Sequence, residues 1–318
     1  MDEQPPIRAV YRLLLTPGED PHERAAAIAR EQTLEVPSGA ATPEIERRLL
    51  GRVISVTPED NGTSRRANGE LEAVQVELDY PAPLFDGTAT QLLNVVWGNV
   101  SLMERVRLVD LRLPDWCLGS FPGPGHGISG IRDRVGVNHR PLVASALKPV
   151  GLNTRELAEL ARCLVRGGVD VIKDDHGLVD QATSPFAERV LQVAEAVRDE
   201  NARLGTRTLY FPNVTAGAGA IDERAGHAAR VGCDGAVICP GLTGLDALVR
   251  LRRLEPELAL MAHPSHSDTA PNARRGIAPP LLMGTLWRLL GADCIIYVNA
   301  RGRFAWPLET CQAINRRA

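Results

Sequence analysis

The sequence predicts an α/β chain: a (β/α) TIM-type barrel over residues 121–318, preceded by a small α+β domain over residues 1–120. Three observations carry this. After about residue 140, short apolar strands rich in β-branched residues alternate with helical segments, six pairs in order. Before residue 115 the pattern is instead one of longer alternating runs. Finally, ionisable and amide residues gather where the later strands stop, at the face where a (β/α) barrel carries its chemistry.

The elements follow in order. "IRAVYRLLLTP" reads as a strand, and "DPHERAAAIAREQ" as a helix with Asp20 as N-cap and Pro21 at its first position. "GRVISVTPE" and "LEAVQVELDYP" flank the polar "DNGTSRRANGE", a hairpin-like signal. "TATQLLNVVWGNV" reads as a helix, and the glycine- and proline-dense "DWCLGSFPGPGHGISG" as a linker or ordered loop. The six units then run from "RPLVASALKP" with "NTRELAELARCLVRGG", through "VDVIKDD", "RTLYFPNVTA", "CDGAVICPG" and "LALMAHPSH" with their helices, to "ADCIIYVNARG" with "PLETCQAINRRA". On this count the barrel is truncated after six βα units, with its last two strands missing and strand edges left unpaired.

Composition narrows the function classes. Of 318 residues 44% are hydrophobic and 24% charged, ordinary for a globular protein, and the net charge of -3 gives no electrostatic case for nucleic acid or an anionic membrane. No apolar run approaches the ~20 residues that span a bilayer, and "MDEQPPIRAV" is wrong for a signal peptide, so the expected location is cytoplasmic. Six cysteines stand singly, none in a CxxC, and are expected to be reduced.

The stretch "GGVDVIKDDHG" ends a buried strand in four ionisable residues, Lys173, Asp174, Asp175 and His176. Carboxylate and imidazole at Asp175 and His176 suit a divalent metal. Lys173 shares the side of the strand occupied by Asp175, and either acts as a base if its pKa is depressed or pairs with that carboxylate. Asp174 points the other way, to an ion pair or a cap. Lys148, fixed at the tip of the preceding strand by Pro149, faces the same substrate, and two lysines beside a carboxylate suit proton transfer next to a carbonyl. His263 and His266 in "AHPSH" add phosphate- and hydroxyl-binding groups; Arg301 and Arg303 hold an anion or form a solvated basic loop.

"QLLNVVWGN", "FPGPGHGI", "LKPVGLN", "GGVDVIKDD", "FPNVTA" and "GADCIIYVNARGRF" together resemble the large chain of RuBisCO, and more closely the RuBisCO-like (type IV) proteins, over essentially the whole sequence. The resemblance implies magnesium or another divalent cation held at Lys173, Asp175 and His176, with His176 standing where carboxylases have glutamate and Lys173 where they carry a carbamate. It implies catalysis by Lys148 and Lys173 and substrate binding by Glu31, Asn99, Asn213, His263, His266 and Arg303. It also implies a head-to-tail homodimer whose subunits share each active site. Val36 and Pro37 replace a phosphate-binding Thr-Trp pair, Pro264 replaces a phosphate-binding arginine, and Arg303 replaces the loop lysine that positions carbon dioxide. Carboxylation of ribulose bisphosphate is therefore not expected. "KDDHGL" and "EQTLEVP" look most like the branch that decarboxylates a 3-oxo sugar acid phosphate such as 3-oxo-isoapionate 4-phosphate. That lyase activity, through an enediolate, is the leading expectation. The alternatives are the enolase or isomerase of methionine salvage, and a catalytically dead truncated paralogue that acts as a binding protein.

Overall fold

A computed structural model describes residues 4–59 and 71–318, and the chain divides into two compact units, each treated by itself. Unit 1 comprises residues up to Phe121 together with Asp268–Leu286 and Val298–Ala318. Its early elements are β1 (Ile7–Leu15), α1 (Pro21–Glu31), α2 (Pro43–Leu49), β2 (Arg52–Pro58), β3 (Glu72–Tyr80), α3 (Ala89–Trp97), β4 (Val106–Arg112) and α4 (Asp115–Leu118). β1 lies between β3 and β4, antiparallel to both, and β2 flanks β3. The expected β2–β3 hairpin strands do pair, while their "DNGTSRRANGE" connection lies outside the described residues. Asp20 caps α1 by accepting from the N–H groups of His22 and Glu23, and Pro21 opens the helix, as the sequence predicts. One face of the sheet is dry. Tyr11 and Tyr80, both fully buried, satisfy their hydroxyls on each other at 2.9 Å and on the Val96 carbonyl at 2.6 Å.

Unit 2 spans Pro122–Ser267 and Trp287–Tyr297. It contains α5 (Gly127–Val135), β5 (Ala144–Leu147), α6 (Thr154–Arg166), β6 (Val171–Asp174), α7 (Phe186–Leu204), β7 (Leu209–Phe211), α8 (Ala220–Arg230), β8 (Gly235–Ile238), α9 (Pro240–Thr243), α10 (Asp246–Leu254) and β9 (Ala259–Ala262). The strands are parallel and follow chain order. β5, β6 and β7 form one ladder, β8, β9 and β11 (Cys294–Ile295) another, and an Asn213–Val237 bridge links β7 to β8. β10 (Gly276–Ile277) belongs to unit 1, where it adds to β4; α11 (Trp287–Leu289) and β11 (Cys294–Ile295) return to unit 2, and α12 (Leu308–Arg317) closes unit 1.

Three details differ from the sequence reading. The glycine-rich segment taken for a linker ends in α5, whose Ile131 and Val135 pack with Val171, Leu209, Phe211, Val237 and Ala259 at the strands' N-terminal end. Glycine density hid the i, i+4 spacing of those two residues. The segment "APPLLMGTLWRLLG" opens as a π-helix over Pro280–Leu286 rather than an α-helix. There a side chain at Gly284 would meet Arg317 Cβ at 2.7 Å, so α12 can lie directly on its backbone. Asp268–Leu286 and Val298–Ala318, assigned by sequence to the barrel, belong to unit 1. One reason is that Arg107 donates to the carbonyls of Ala270, Pro271 and Ala273. No helix among the described residues is long and apolar enough to cross a membrane, and all six cysteines are free.

Candidate active site

The parallel register sets the site. Leu147 on β5 lies opposite Asp174 on β6, so the next residues, Lys148 and Asp175, leave their strands side by side. Lys148 Nζ pairs with Asp175 Oδ1 at 2.7 Å, and His176 Nδ1 lies 3.3 Å from the same oxygen. Lys148 is 59% exposed at its side chain and Asp175 only 9%, so the pair joins a solvent-facing ammonium to a sheltered carboxylate. Burial works against ionisation of Asp175. The Lys148 hydrogen bond, the His176 charge and the Gly177 N–H outweigh it and hold the carboxyl below its ordinary range.

Lys173, on the same side of β6, does not pair with Asp175. Its ammonium donates to the Asp174 carbonyl at 2.9 Å. Burial pushes its pKa down; Asp175 and Asp174 oppose that shift and Lys148 adds to it. The His176 ring stacks on His263 from β9's end, with centroids 4.3 Å apart and planes 11° from parallel. Burial and the neighbouring charges of His176 and Lys173 push His263 down to about 4, so it is neutral at pH 7.

Asp174 faces away from this group, as its place in the pleat requires. It accepts from Arg189, from the Tyr210 hydroxyl at 2.9 Å and from the Asn213 N–H at 3.1 Å, with Arg189 and Asp174 both fully buried. This is the expected ion pair. Its partners Arg189 and Tyr210 escaped the sequence reading because nothing in "FAERVLQV" marks an arginine as inward-facing.

Asn213 differs from its expected role in substrate binding. Its side-chain NH₂ donates to the carbonyls of Asp175, His176 and Leu178, and its Oδ1 accepts from the Thr215 N–H, so the amide is consumed in holding the 175–178 loop. His266 is exposed in a left-handed conformation (φ 56°), next to a loop so close that a Cβ on Gly241 would sit 2.2 Å from its carbonyl oxygen. In unit 1, Asn99 Nδ2 donates to Glu31 Oε1 at 3.0 Å, and the Arg303 guanidinium lies over the Phe304 ring at 5.0 Å.

The expected metal set does not fit a magnesium-type ion as these side chains stand. The Asp175 carboxylate already holds an ammonium, while Lys173 presents N–H donors rather than an oxygen ligand. His263 cannot complete the set with His176, because an imidazole ligates in its ring plane and the two planes are stacked. Among the described residues no three His, Cys, Asp or Glu side chains converge on a point.

Parallel βα units with a lysine–carboxylate–imidazole cluster at their strand C-termini match the side on which βα-barrel proteins gather their polar groups. A profile of the family described as ribulose bisphosphate carboxylase large chain, catalytic domain, matches residues 127–304. A 5-methylthioribulose-1-phosphate isomerase of Rhodospirillum rubrum is 38% identical over 97% of this chain and 79% of its own length. A 2,3-diketo-5-methylthiopentyl-1-phosphate enolase of Geobacillus kaustophilus is 37% identical over 98% and 76%. The crystal structure of a RuBisCO-like protein from Rhodopseudomonas palustris superposes with a TM-score of 0.86 at 37% identity, covering 99% of this chain and 83% of that one. The chain belongs to the RuBisCO large-chain family, among its RuBisCO-like (type IV) members.

These relatives overturn the leading expectation of a sugar-acid decarboxylase. The enzymes this chain resembles over nearly its full length are named for isomerisation and enolisation of methylthio sugar phosphates. The short motifs read as a decarboxylase signature, "KDDHGL" and "EQTLEVP", are too few residues to outweigh that likeness.

Proposed function

We propose that the chain catalyses the enolate-forming proton transfer of methionine salvage, on a phosphorylated 5-methylthiopentose derivative carrying a carbonyl. The observation that carries the reading is the pair of lysines in opposite environments. Lys173 is half-buried, with its pKa lowered, and Lys148 is exposed and ion-paired to Asp175. An amine must be neutral to take a proton from carbon, and Lys173 is pushed that way. A substrate C–H proton passes to Lys173 Nζ as the electron pair moves to the carbonyl oxygen. The Lys148 ammonium stabilises that oxyanion and donates to it when the enol is product. Asp175 holds Lys148 in place by their ion pair, while the neutral His263 ring fixes the plane of His176. No step requires a metal. Substrate binding by Glu31, Asn99 and Arg303 is part of the same proposal, and the working form is a homodimer with shared sites.

The test is proton NMR in D₂O of the full chain with 2,3-diketo-5-methylthiopentyl 1-phosphate and, separately, 5-methylthioribulose 1-phosphate. Enol formation from the first, or deuterium entry next to the carbonyl of the second, is expected, without carbon dioxide release. Folded protein that exchanges no proton in either substrate would overturn the reading in favour of a non-catalytic binding protein. Sedimentation at micromolar concentration is expected to give a dimer, and a monomer would refute the shared site.

A further inference from the structure

At the opposite, N-terminal ends of β7 and β8 lies a cavity of about 280 Å³ lined by Arg134, Arg198, Arg207, Thr208, Tyr210 and Asp234, among others. Its charge is unbalanced: three guanidinium groups face one carboxylate. Arg134 spends both terminal nitrogens on backbone carbonyls, those of Asp234 at 2.7 Å and Glu257 at 2.9 Å, so it contributes charge from a fixed position. Arg198 uses one terminal nitrogen on the Val231 carbonyl, and Arg207 has no hydrogen bond or ion pair among the described residues. Asp234 turns one oxygen to the Tyr210 N–H and makes no ion pair with any of the three.

Two glycines lie beside the arginines, each at a distance where a Cβ would make only ordinary van der Waals contact. A Cβ on Gly232 would lie 3.6 Å from Arg198 Nη2, and one on Gly136 would lie 3.6 Å from Arg207 Cδ. Both glycines have positive φ (79° and 76°), which any other residue would adopt under strain. Arginine forks match the oxygens of a phosphate, and a surplus of two positive charges matches a dianion better than a lone carboxylate. The volume sits at the small end of ligand sites. The geometry points to a binding site for a small phosphate-bearing anion between α7 and the α8–β8 turn, contacted by Arg198 and Arg207. Nothing in the proposed proton transfer uses it.

Hydrogen–deuterium exchange of the full chain, with and without pyrophosphate at constant ionic strength, tests this. Protection of residues 206–210 and 232–234 is expected. Arg207→Ala and Arg198→Gln are each expected to weaken pyrophosphate binding at least tenfold by calorimetry. Both arginines are exposed, and unchanged far-UV dichroism and melting temperature would establish that the variants fold. Protection confined to residues 148 and 173–177, equal affinity in Arg207→Ala, or an identical response to sulfate in wild type and variant would each overturn the proposal.

Discussion

Two groups of charges, one at each end of the parallel strands, are used differently. At the N-terminal end Arg140 forms a two-pronged bridge to Asp170 at 2.6 and 2.8 Å, and Arg252 is buried against Asp293, which also accepts from the Leu260 N–H. At the C-terminal end one carboxylate, Asp175, serves an exposed lysine and an imidazole, while Lys173 has a single carbonyl. Ion pairs such as Arg140–Asp170 and Arg252–Asp293 tie neighbouring segments together. Charges with capacity to spare can accept a substrate.

The sharpest way to break this contrast is to remove the spare capacity. Lys173→Met and Lys148→Ala are each expected to lower the enolisation rate by about 10²–10⁴-fold while leaving stability within about 0.5 kcal/mol for the exposed Lys148. Loss of activity that tracked a lower melting temperature would refute the division. Arg189→Met makes the reverse case: it strands the buried Asp174 carboxylate and is expected to cost about 3–5 kcal/mol in urea unfolding. A smaller effect is expected from Gly241→Ala, which must push the 263–266 loop outward for a cost of about 1–3 kcal/mol, with KM rising more than kcat falls. The smallest is a pH dependence. His263 has its pKa lowered to about 4 in the folded chain, against 6.5 for a free imidazole, so unfolding takes up a proton between those values. Its contribution to stability is present above pH 6.5 and is lost as pH falls towards 4. In His263→Asn that part of the slope is expected to vanish, as read from melting temperature against pH.

The alternation of apolar strand and amphipathic helix was legible because each parallel strand is buried on both faces and each helix on one. The cluster Lys148, Lys173, Asp175, His176 and His263 was legible because strand ends place polar residues on one rim. What escaped was where each side chain spends its hydrogen bonds. Asn213 sits at a strand end like the others, yet its amide is used up by backbone carbonyls 35 to 38 residues earlier in the chain, not by anything its position announces. Arg189 and the β10–β4 pairing were equally silent, since both depend on partners distant in sequence.

One consequence of α5 concerns the order of assembly. The helix precedes every strand of unit 2, yet the N–H groups of His126 and Gly127 are held by Asp293, 167 and 166 residues later. During synthesis at about 5–20 residues per second, α5 therefore waits roughly ten to thirty seconds for its anchor. Its apolar face can pack as Val171, Leu209, Phe211 and Val237 emerge, but the loop entropy of the contact at its N-terminus is met only once Asp293 is made. Unit 2 is thus expected to gain its final cooperativity late. Nascent chains arrested before residue 293 should remain open to protease near Gly127, and chains arrested well beyond it should not.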